Sequence, residues 1–502
     1  TKQDVVDWAN KYLGPESYAI IYKREGKDPN EQKIAAPKIT PIVTNRDSQS
    51  EFLSEIQTSQ VQPIEPVFVD YKKDMSQFEA QPGIDVLYKK NETNDIFTLI
   101  YVFNTGTEND PALNLAFNYL SYLGTDKMTA EEIASEMYDI ACSFYMNAGA
   151  NQSSIQITGL SENMGKAMEI VEGLIAGAKP DEAILENCKA DMLKSRADAK
   201  LNQSRCFGAL QRYLFYGGDF IRRTTLTDPA LQALTSEQLL AKIGGLMGKQ
   251  HEVLYYGPQK EAEVKSALAE HHKVAADLQP LEKKFSTLLP TDANKVVLAQ
   301  YDAKQLYYLQ FSNRGEKFDV AADPEITLYN EYFGGGMNTI VFQEMREARG
   351  LAYTAWATLA TPSNANGDYS YYAFIATQND KMQKAVEAFD DIINNMPESE
   401  KAFGIAKEAL VSRLRTERTV KDGVLWSYLR ARDLGLDAPR DKQIFEKVQS
   451  MTLDDVKAAQ QKWVKGRKYV YGILGDIQDL DLNYLKTLGP IQTVSQEEIF
   501  GY

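Results

Sequence analysis

Residues 333–353 read FGGGMNTIVFQEMREARGLAY and form the most distinctive stretch of the sequence. The three glycines, Gly334, Gly335 and Gly336, look at first like a phosphate-binding loop. They follow a predicted helix rather than a strand, so the strand–loop–helix context of a dinucleotide site is absent. The pattern instead predicts a turn between two helices, in which glycine permits positive φ.

The residues after this turn predict an amphipathic helix. Ile340, Phe342 and Met345 recur at helical spacing and are expected to be partly buried. Unless they have a functional role, Arg346, Glu347 and Arg349 are expected to form the solvent-exposed face of this helix, as charged residues on a helix usually do.

A helix followed by a short apolar strand occurs three times along the chain. Each helix begins at a threonine that is expected to be its N-cap, with an acidic residue in the first turn. The three pairs of threonine and strand are Thr1 with Tyr18–Tyr22, Thr235 with Val253–Gly257, and Thr452 with Tyr469–Gly472. Since the chain begins inside the first of these helices, we expect it to be part of a longer polypeptide.

Further matches recur at nearly the same offset and predict a duplication. Asp110–Leu115 matches Asp323–Leu328, and Asn163–Glu169 matches Lys381–Glu387. The strands predicted around them are Phe68–Lys73, Asp85–Lys89, Ile96–Phe103, Ser143–Ala148, Ser154–Gly159, Val296–Tyr301, Leu306–Phe311, Ala352–Leu359 and Tyr369–Ala376. The sequence therefore predicts an α+β fold of two homologous modules, each an antiparallel-rich mixed sheet with helices packed on one face.

Composition excludes several classes of function. The 502 residues carry a formal charge of −15, so no basic field attracts nucleic acid, and no apolar run reaches the ~20 residues of a membrane span. Cys142, Cys188 and Cys206 are odd in number and widely spaced, and are expected to be core residues. The three histidines, His251, His271 and His272, lack the spacing of a zinc-binding helix.

The stretch 333–353, together with the order of the modules, resembles the pitrilysin/insulinase family of zinc metallopeptidases. That resemblance covers nearly the whole chain and implies four homologous modules in two halves joined by a hinge. Residues 1–24 are then the end of the second module, and 25–64 are the hinge. Residues 65–281 are the third module and 282–502 the fourth.

The family's zinc motif, His-x-x-Glu-His, has no counterpart in this chain. Counting back from Gly124-Thr125, its slot is filled by residues 115–119, with Leu115 and Tyr119 at the two His positions and Asn118 at the position of the Glu base. The resemblance therefore implies a non-catalytic half that binds no metal itself, and it implies Zn²⁺ in an N-terminal half of the same polypeptide. The implied substrates are unfolded or short peptides.

In the family, the non-catalytic half also supplies an Arg and, seven positions later, a Tyr that reach the bound peptide. Arg346 and Tyr353 match this spacing, after the turn of Gly334, Gly335 and Gly336. A phenol can donate to the oxygen that becomes negative when a peptide carbonyl is attacked. A guanidinium offers several donors to a substrate carbonyl and does not titrate near neutral pH.

Two other interpretations are compatible with the same modules. One is an inactive scaffold or assembly subunit, and the other is an independent module that binds extended peptides. Retention of Arg346 and Tyr353 favours the peptidase interpretation, because a scaffold does not need that pair.

Overall fold

The computed structural model describes residues 1–14, 16, 18–23, 26 and 50–502, and it divides into two compact units, residues 1–62 and 63–502. In the first unit, α1 spans Lys2–Tyr12 and α2 spans Glu51–Thr58. Thr1 caps α1 in a capping box with Asp4, so the predicted N-cap is confirmed.

Two other predictions fall on this first unit. The apolar run Tyr18–Tyr22 forms neither helix nor strand here and is exposed, so it is not a strand in this structure. Most of the predicted hinge, residues 27–49 included, lies outside the described residues.

The second unit contains two six-stranded sheets. The strands of the first are β1 (Ser76–Gln81), β2 (Ile84–Lys90), β3 (Ile96–Phe103), β4 (Cys142–Ala148), β5 (Ser153–Leu160) and β6 (His251–Gly257). Their order is β1-β2-β6-β3-β5-β4, and only β2 and β6 run parallel. The accompanying helices are α3 (Tyr71–Asp74), α4 (Leu113–Leu120), α5 (Ala130–Asp139), α6 (Met164–Gly177), α7 (Glu182–Lys200), α8 (Gln203–Thr224), α9 (Asp228–Ala233), α10 (Ser236–Met247) and α11 (Glu261–His271). We call this sheet with its helices the N-module.

The second sheet repeats the plan and, with its helices, forms the C-module. Its strands are β7 (Lys295–Gln300), β8 (Gln305–Lys317), β9 (Thr354–Ala360), β10 (Asp368–Gln378), β11 (Val470–Gly475) and β12 (Ile491–Val494), in the order β12-β7-β11-β8-β10-β9. The helices are α12 (Asp323–Phe333), α13 (Ile340–Phe342), α14 (Met382–Asn394), α15 (Glu400–Thr416), α16 (Gly423–Asp433), α17 (Arg440–Val448), α18 (Leu453–Ala459), α19 (Leu482–Leu488) and α20 (Gln496–Phe500). From β7 to β9 the order matches that from β2 to β4, which confirms the predicted duplication.

One predicted strand, Phe68–Lys73, is wrong. The carboxylate of Asp70 accepts from the backbone N–H of Lys72, and this cap starts the short helix α3 at Tyr71. Tyr71 is buried, with its hydroxyl 2.8 Å from Ser427 Oγ of α16. Its ring is apolar at this position because it packs against α16, and not because it belongs to the alternating pattern of a strand. Every other strand predicted in this unit is found; the ends agree within three residues except at β8, which continues six residues beyond the expected Phe311.

The prediction of helices on one face of each sheet is incomplete, because each module also covers the other module's second face. Leu210 and Leu214 of α8 pack on the C-module sheet against β7, β8, β10 and β11. Reciprocally, Leu425 and Leu429 of α16 pack on the N-module sheet. We call α8 and α16 the exchanged helices.

Polar contacts reinforce this exchange. Arg432 of α16 makes a two-pronged ion pair with Glu252 of β6, with Nη2 2.8 Å from Oε2. The neighbouring Asp433 accepts from Lys283, at 2.6 Å, in the segment that joins the modules. All four side chains are shielded from bulk solvent to some degree, which strengthens such pairs relative to fully exposed ones.

All three cysteines are free and buried, as expected for core residues. Among the described residues, no helix is both long and apolar enough to cross a bilayer.

A chain of buried hydrogen bonds links two of the histidines. His251 Nδ1 donates to the carbonyl of Lys249 at 2.8 Å, and His251 Nε2 lies 2.8 Å from His272 Nε2. His272 Nδ1 lies 2.6 Å from Glu172 of α6. Burial, assisted by the neighbouring His272, lowers the pKa of His251 to about 4.

Replacing Gly472 by Ala should destabilise the fold. A Cβ on Gly472 of β11 would overlap the buried side chain of Leu214 of α8, so that side chain or the exchanged helix that carries it would have to shift. We expect a loss of about 1–3 kcal/mol in the free energy of unfolding, measured with urea. The control is Gly404→Ala, which meets nothing within 4 Å on α15 and should stabilise the chain by about 0.5–1 kcal/mol. Equal effects of the two substitutions would contradict the packing of α8 on β11.

The histidine chain predicts acid sensitivity. The pKa of His251 is about 4 when folded and 6.5 when unfolded, so between these values the unfolded chain binds the extra proton. Stability should therefore fall as pH drops below 6.5, by about 2 kcal/mol between pH 7 and pH 5 from this group alone. His251→Gln should remove that part of the pH dependence, and His271→Gln should keep it. An unchanged pH profile in His251→Gln would show that His251 titrates normally in the folded protein.

Candidate functional site

The stretch 333–353 lies in the C-module between α12 and β9. Ile340, Val341 and Met345 are buried and hold its helical part against the module core. This part begins as α13 and continues as a π-helical turn over Gln343–Ala348. The amphipathic helix is therefore present, but its hydrogen bonding widens before Arg349.

The three glycines are needed for close packing and not for a positive φ. None of Gly334, Gly335 and Gly336 adopts a positive φ, in contrast to the prediction. A Cβ on Gly334 would overlap the carbonyl of Asn330, and one on Gly335 would lie 2.7 Å from Cβ of Trp356. The turn needs glycine because it passes directly beside β9. Positive φ occurs later, at Gly350, where the chain turns back towards the sheet.

Neighbouring side chains hold the stretch in place. Asn330 of α12 donates to the carbonyl of Leu359 and accepts from its N–H, both at 2.9 Å, and so occupies part of the outer edge of β9. Arg349 lies 3.0 Å from Asp391 of α14, and Thr377 of β10 donates to the carbonyl of Leu351 at 2.5 Å. The segment before Tyr353 is thus tied to α14 and β10, and the Asn330 contact fixes α12 to β9 on either side of the stretch.

The structure brings Arg346 and Tyr353 together. The guanidinium of Arg346 lies 4.9 Å from the ring centre of Tyr353 and 4.9 Å from that of Phe342, so it stacks between two aromatic rings. Such contacts are each worth about 0.5–1 kcal/mol at exposed sites. Phe342 was not predicted as part of the site, although its spacing of four residues from Arg346 is the helical signal that could have identified it.

Both residues remain open to solvent. Tyr353 is 73% exposed, and the side chain of Arg346 is 39% exposed, with Glu347 3.7 Å from Nε. Within the described residues, nothing hydrogen-bonds the Tyr353 hydroxyl or the two terminal nitrogens of Arg346. The site therefore presents a phenol O–H and guanidinium N–H groups as donors on the surface of the C-module.

The slot at residues 115–119 lies on α4 in the N-module and is built into the core. Leu115 and Tyr119 are fully buried, whereas Asn118 is exposed. The Tyr119 hydroxyl lies 2.8 Å from Ser236 Oγ and accepts from the N–H of Asp181 at 2.8 Å, which joins α4 to the starts of α7 and α10. An aliphatic group, an amide and an engaged phenol do not fit zinc, which takes thiolate, imidazole and carboxylate ligands.

In the part of the chain that the structure describes, no three His, Cys, Asp or Glu residues are arranged to hold a metal ion. Glu172, His272 and His251 are close together but are engaged with one another by hydrogen bonds.

Comparisons with known proteins point to one family. The family model for the peptidase M16 inactive domain matches residues 250–410. A zinc protease of Rickettsia bellii is 23% identical over 312 residues, which cover 60% of this chain and 70% of that protein. A zinc protease of Streptomyces coelicolor is 22% identical over 266 residues, covering 49% of this chain and 56% of that protein.

Solved structures share the fold. A peptidase M16 inactive domain from Pseudomonas fluorescens superposes with a TM-score of 0.63 at 18% identity, covering 80% of this chain and 98% of that one. The periplasmic protease PqqL of Escherichia coli gives a TM-score of 0.61 at 13% identity, covering 95% of this chain and 51% of PqqL. The ferredoxin protease FusC, solved with Arabidopsis ferredoxin, gives 0.63 at 13% identity, with 95% and 50% coverage.

This chain therefore spans about half the length of PqqL and FusC. The family model, the two zinc-protease relatives and the shared fold confirm the resemblance that the stretch 333–353 indicated: the chain resembles a C-terminal half of the pitrilysin type, and its residues 250–410 match the peptidase M16 inactive domain.

Proposed function

We propose that this chain is the non-catalytic half of a zinc-dependent metalloendopeptidase and contributes Arg346 and Tyr353 to the bound peptide. The observation that carries the proposal is the stacked, solvent-facing pair of these two side chains. The Tyr353 hydroxyl and the two terminal nitrogens of Arg346 have no hydrogen-bond partner among the described residues, so they are available to a ligand. Zinc, held by the catalytic half, would supply the activated water for peptide-bond hydrolysis.

Each residue of the pair has a distinct role in this proposal. Tyr353 donates its O–H to the peptide oxygen that gains negative charge, which is stabilisation of the transition state. Arg346 donates to a neighbouring peptide carbonyl and orients the chain. Stacking against Phe342 and Tyr353 restricts the guanidinium before substrate binds, which reduces the entropy lost on binding.

We also propose the module boundaries stated above, with residues 1–24 as the end of a preceding module and 25–64 as a hinge. Helix α1 has the same kind of capping box as α10 and α18, yet no residue of α1 is buried. In the N-module and C-module, the strand after the corresponding helix is central and wholly buried. Trp8, Tyr18 and Ile21 are exposed, so they need a partner surface, which the upstream part of that module would supply.

Removing the Tyr353 hydroxyl should slow catalysis by the assembled enzyme. If Tyr353 stabilises the transition state, Tyr353→Phe should lower kcat for an unstructured peptide about 10²-fold or more and leave the melting temperature unchanged. Arg346→Ala should act in the same direction. Tyr138→Phe is a matched control, because Tyr138 is an exposed phenol of the N-module. A Tyr353→Phe enzyme with wild-type kcat would remove the proposed role.

Deleting residues 1–24 should abolish assembly. The exposed apolar side chains of α1 and of Tyr18–Tyr22 are expected to complete the upstream module, so the deleted chain should no longer bind the zinc-bearing half in size-exclusion chromatography. Residues 63–502 form their own compact unit, so the main melting transition should stay in place. Unimpaired assembly of the deleted chain would contradict the proposed boundary.

The isolated 502-residue chain should contain no stoichiometric zinc on metal analysis. Stoichiometric zinc would contradict the proposal that only the other half holds the metal.

A further inference from the structure

A cavity of about 490 Å³ lies where the two modules meet. Three segments form its walls: the region of α8 at Phe215 and Tyr216, the connecting segment 285–288, and the turn between β9 and β10 with the start of β10. Its volume is in the range of pockets that bind small ligands. Neither the slot at residues 115–119 nor Arg346 and Tyr353 belong to it.

The walls are fixed by backbone hydrogen bonds. The helical path of α8 breaks at Gly217, which has a φ of 82°, and the carbonyl of Phe215 accepts from the N–H of Leu289 at 2.8 Å. The N–H of Ala365 in the β9–β10 turn donates to the carbonyl of Asp433 at the end of α16, at 2.9 Å. Both exchanged helices therefore hold the cavity, and its shape exists before any ligand binds.

Aromatic rings form the apolar part of the lining. The rings of Phe215 and Tyr372 lie 5.6 Å apart, and Trp356 of β9 lies 5.5 Å from Tyr372 on the side towards Tyr353. Tyr216 and Phe285 complete this wall. Rings arranged in this way favour a ligand with an aromatic or branched aliphatic group.

The polar part of the lining carries no unpaired charge. Asp368 is the only ionisable carboxyl among the lining residues, and it is neutralised by Lys317 at 2.7 Å and accepts from Asn313 at 3.2 Å. Hydroxyl and amide groups supply the remaining polarity, including Thr287 and Asn366 at the exposed rim. Within the described residues, no group hydrogen-bonds the Tyr372 hydroxyl, whose pKa is raised by burial. Such a lining suits an uncharged ligand with amide groups, since burial of a charge without a partner is costly.

The cavity is connected to Tyr353 by one strand. Strand β9 begins directly after Tyr353, and its last residue, Ala360, lines the cavity. Thr354, Trp356, Thr358 and Ala360 share one face of β9, and all are at least partly exposed. At about 3.3 Å per residue, the seven residues of β9 span about 23 Å, a length that an extended peptide covers with a similar number of residues.

We propose that this cavity is an anchoring subsite for a peptide substrate. It takes an uncharged aromatic or branched aliphatic side chain, about seven residues from the peptide bond that meets Tyr353. The Tyr372 hydroxyl hydrogen-bonds the peptide backbone beside that side chain. The distance between the anchored side chain and the cleaved peptide bond rests on the proposed function of Tyr353. Binding of a peptide in the cavity can be measured without turnover.

The test uses the 502-residue chain and two fluorescein-labelled dodecapeptides of Gly, Ser and Asn. One carries a single central Phe and the other carries Ala in its place. Fluorescence anisotropy should show at least tenfold tighter binding of the Phe peptide, because the phenyl ring is removed from water in the cavity. Thr287→Trp should abolish this preference by filling the rim, and Tyr372→Phe should weaken binding of both peptides. Ser412→Trp, on the exposed face of α15, should leave both affinities unchanged.

The outcomes separate the subsite from the proposed function. The preference for the Phe peptide over the Ala peptide should persist in Tyr353→Phe, whatever happens to the two absolute affinities, so a subsite that binds the Phe side chain stands even if Tyr353 has no catalytic role. Equal affinity for the two peptides, or a preference that persists in Thr287→Trp, would overturn the subsite while leaving a kcat defect of Tyr353→Phe intact. If maltohexaose displaced both labelled peptides and the Phe peptide bound no more tightly than the Ala peptide, the cavity would be a sugar site, and the proposal would also be overturned.

Discussion

A mixed sheet has two faces, and in this protein each sheet completes the burial of its second face only with a helix from the other module. Helix α8 lies on the C-module sheet, and α16 lies on the N-module sheet. Removing either helix would expose apolar strand residues such as Leu309 and Leu254 to water. Packing at Gly472 and the Arg432–Glu252 ion pair make the contact specific to these two helices. This reciprocal covering is why residues 63–502 form one compact unit from two duplicated modules.

The candidate sites depend on that unit. The stretch that carries Arg346 and Tyr353 is held by Asp391 of α14 and Thr377 of β10, and Asn330 fixes β9 directly after it. The cavity between the modules has walls tied to both exchanged helices. A rigid platform of this kind can place donors against a peptide with little reorganisation when the peptide binds. In the N-module, the slot at residues 115–119 belongs to the core, because the Tyr119 hydroxyl joins α4 to the starts of α7 and α10. These residues therefore have a structural role.

Local patterns predicted much of this fold from the sequence. The N-cap at Thr235, strand β3 and the duplication depend on neighbouring residues or on direct repetition, and all are confirmed. Features that depend on distant contacts were missed. The exchanged helices, the Glu172–His272–His251 chain and the Asn330 contact join residues from separate parts of the chain. The glycines at 334–336 were correctly predicted to lie in a turn. The turn requires glycine because β9 passes close to it, and no local pattern reveals that contact. For the site, the spacing of Arg346 and Tyr353 identified two residues that are in contact, whereas the cavity had no signal in the sequence.

The central claim is that the exposed face formed by Arg346 and Tyr353 meets the peptide substrate. The most direct measurement is photo-crosslinking from p-benzoylphenylalanine placed at position 353, in the chain assembled with its zinc-bearing half. The same group at position 138, which is also exposed, reports nonspecific encounters. Our account predicts a covalent adduct with an unstructured peptide from position 353, competed by unlabelled peptide, and no such adduct from position 138. No adduct at 353, or equal adducts at both positions, would contradict the claim.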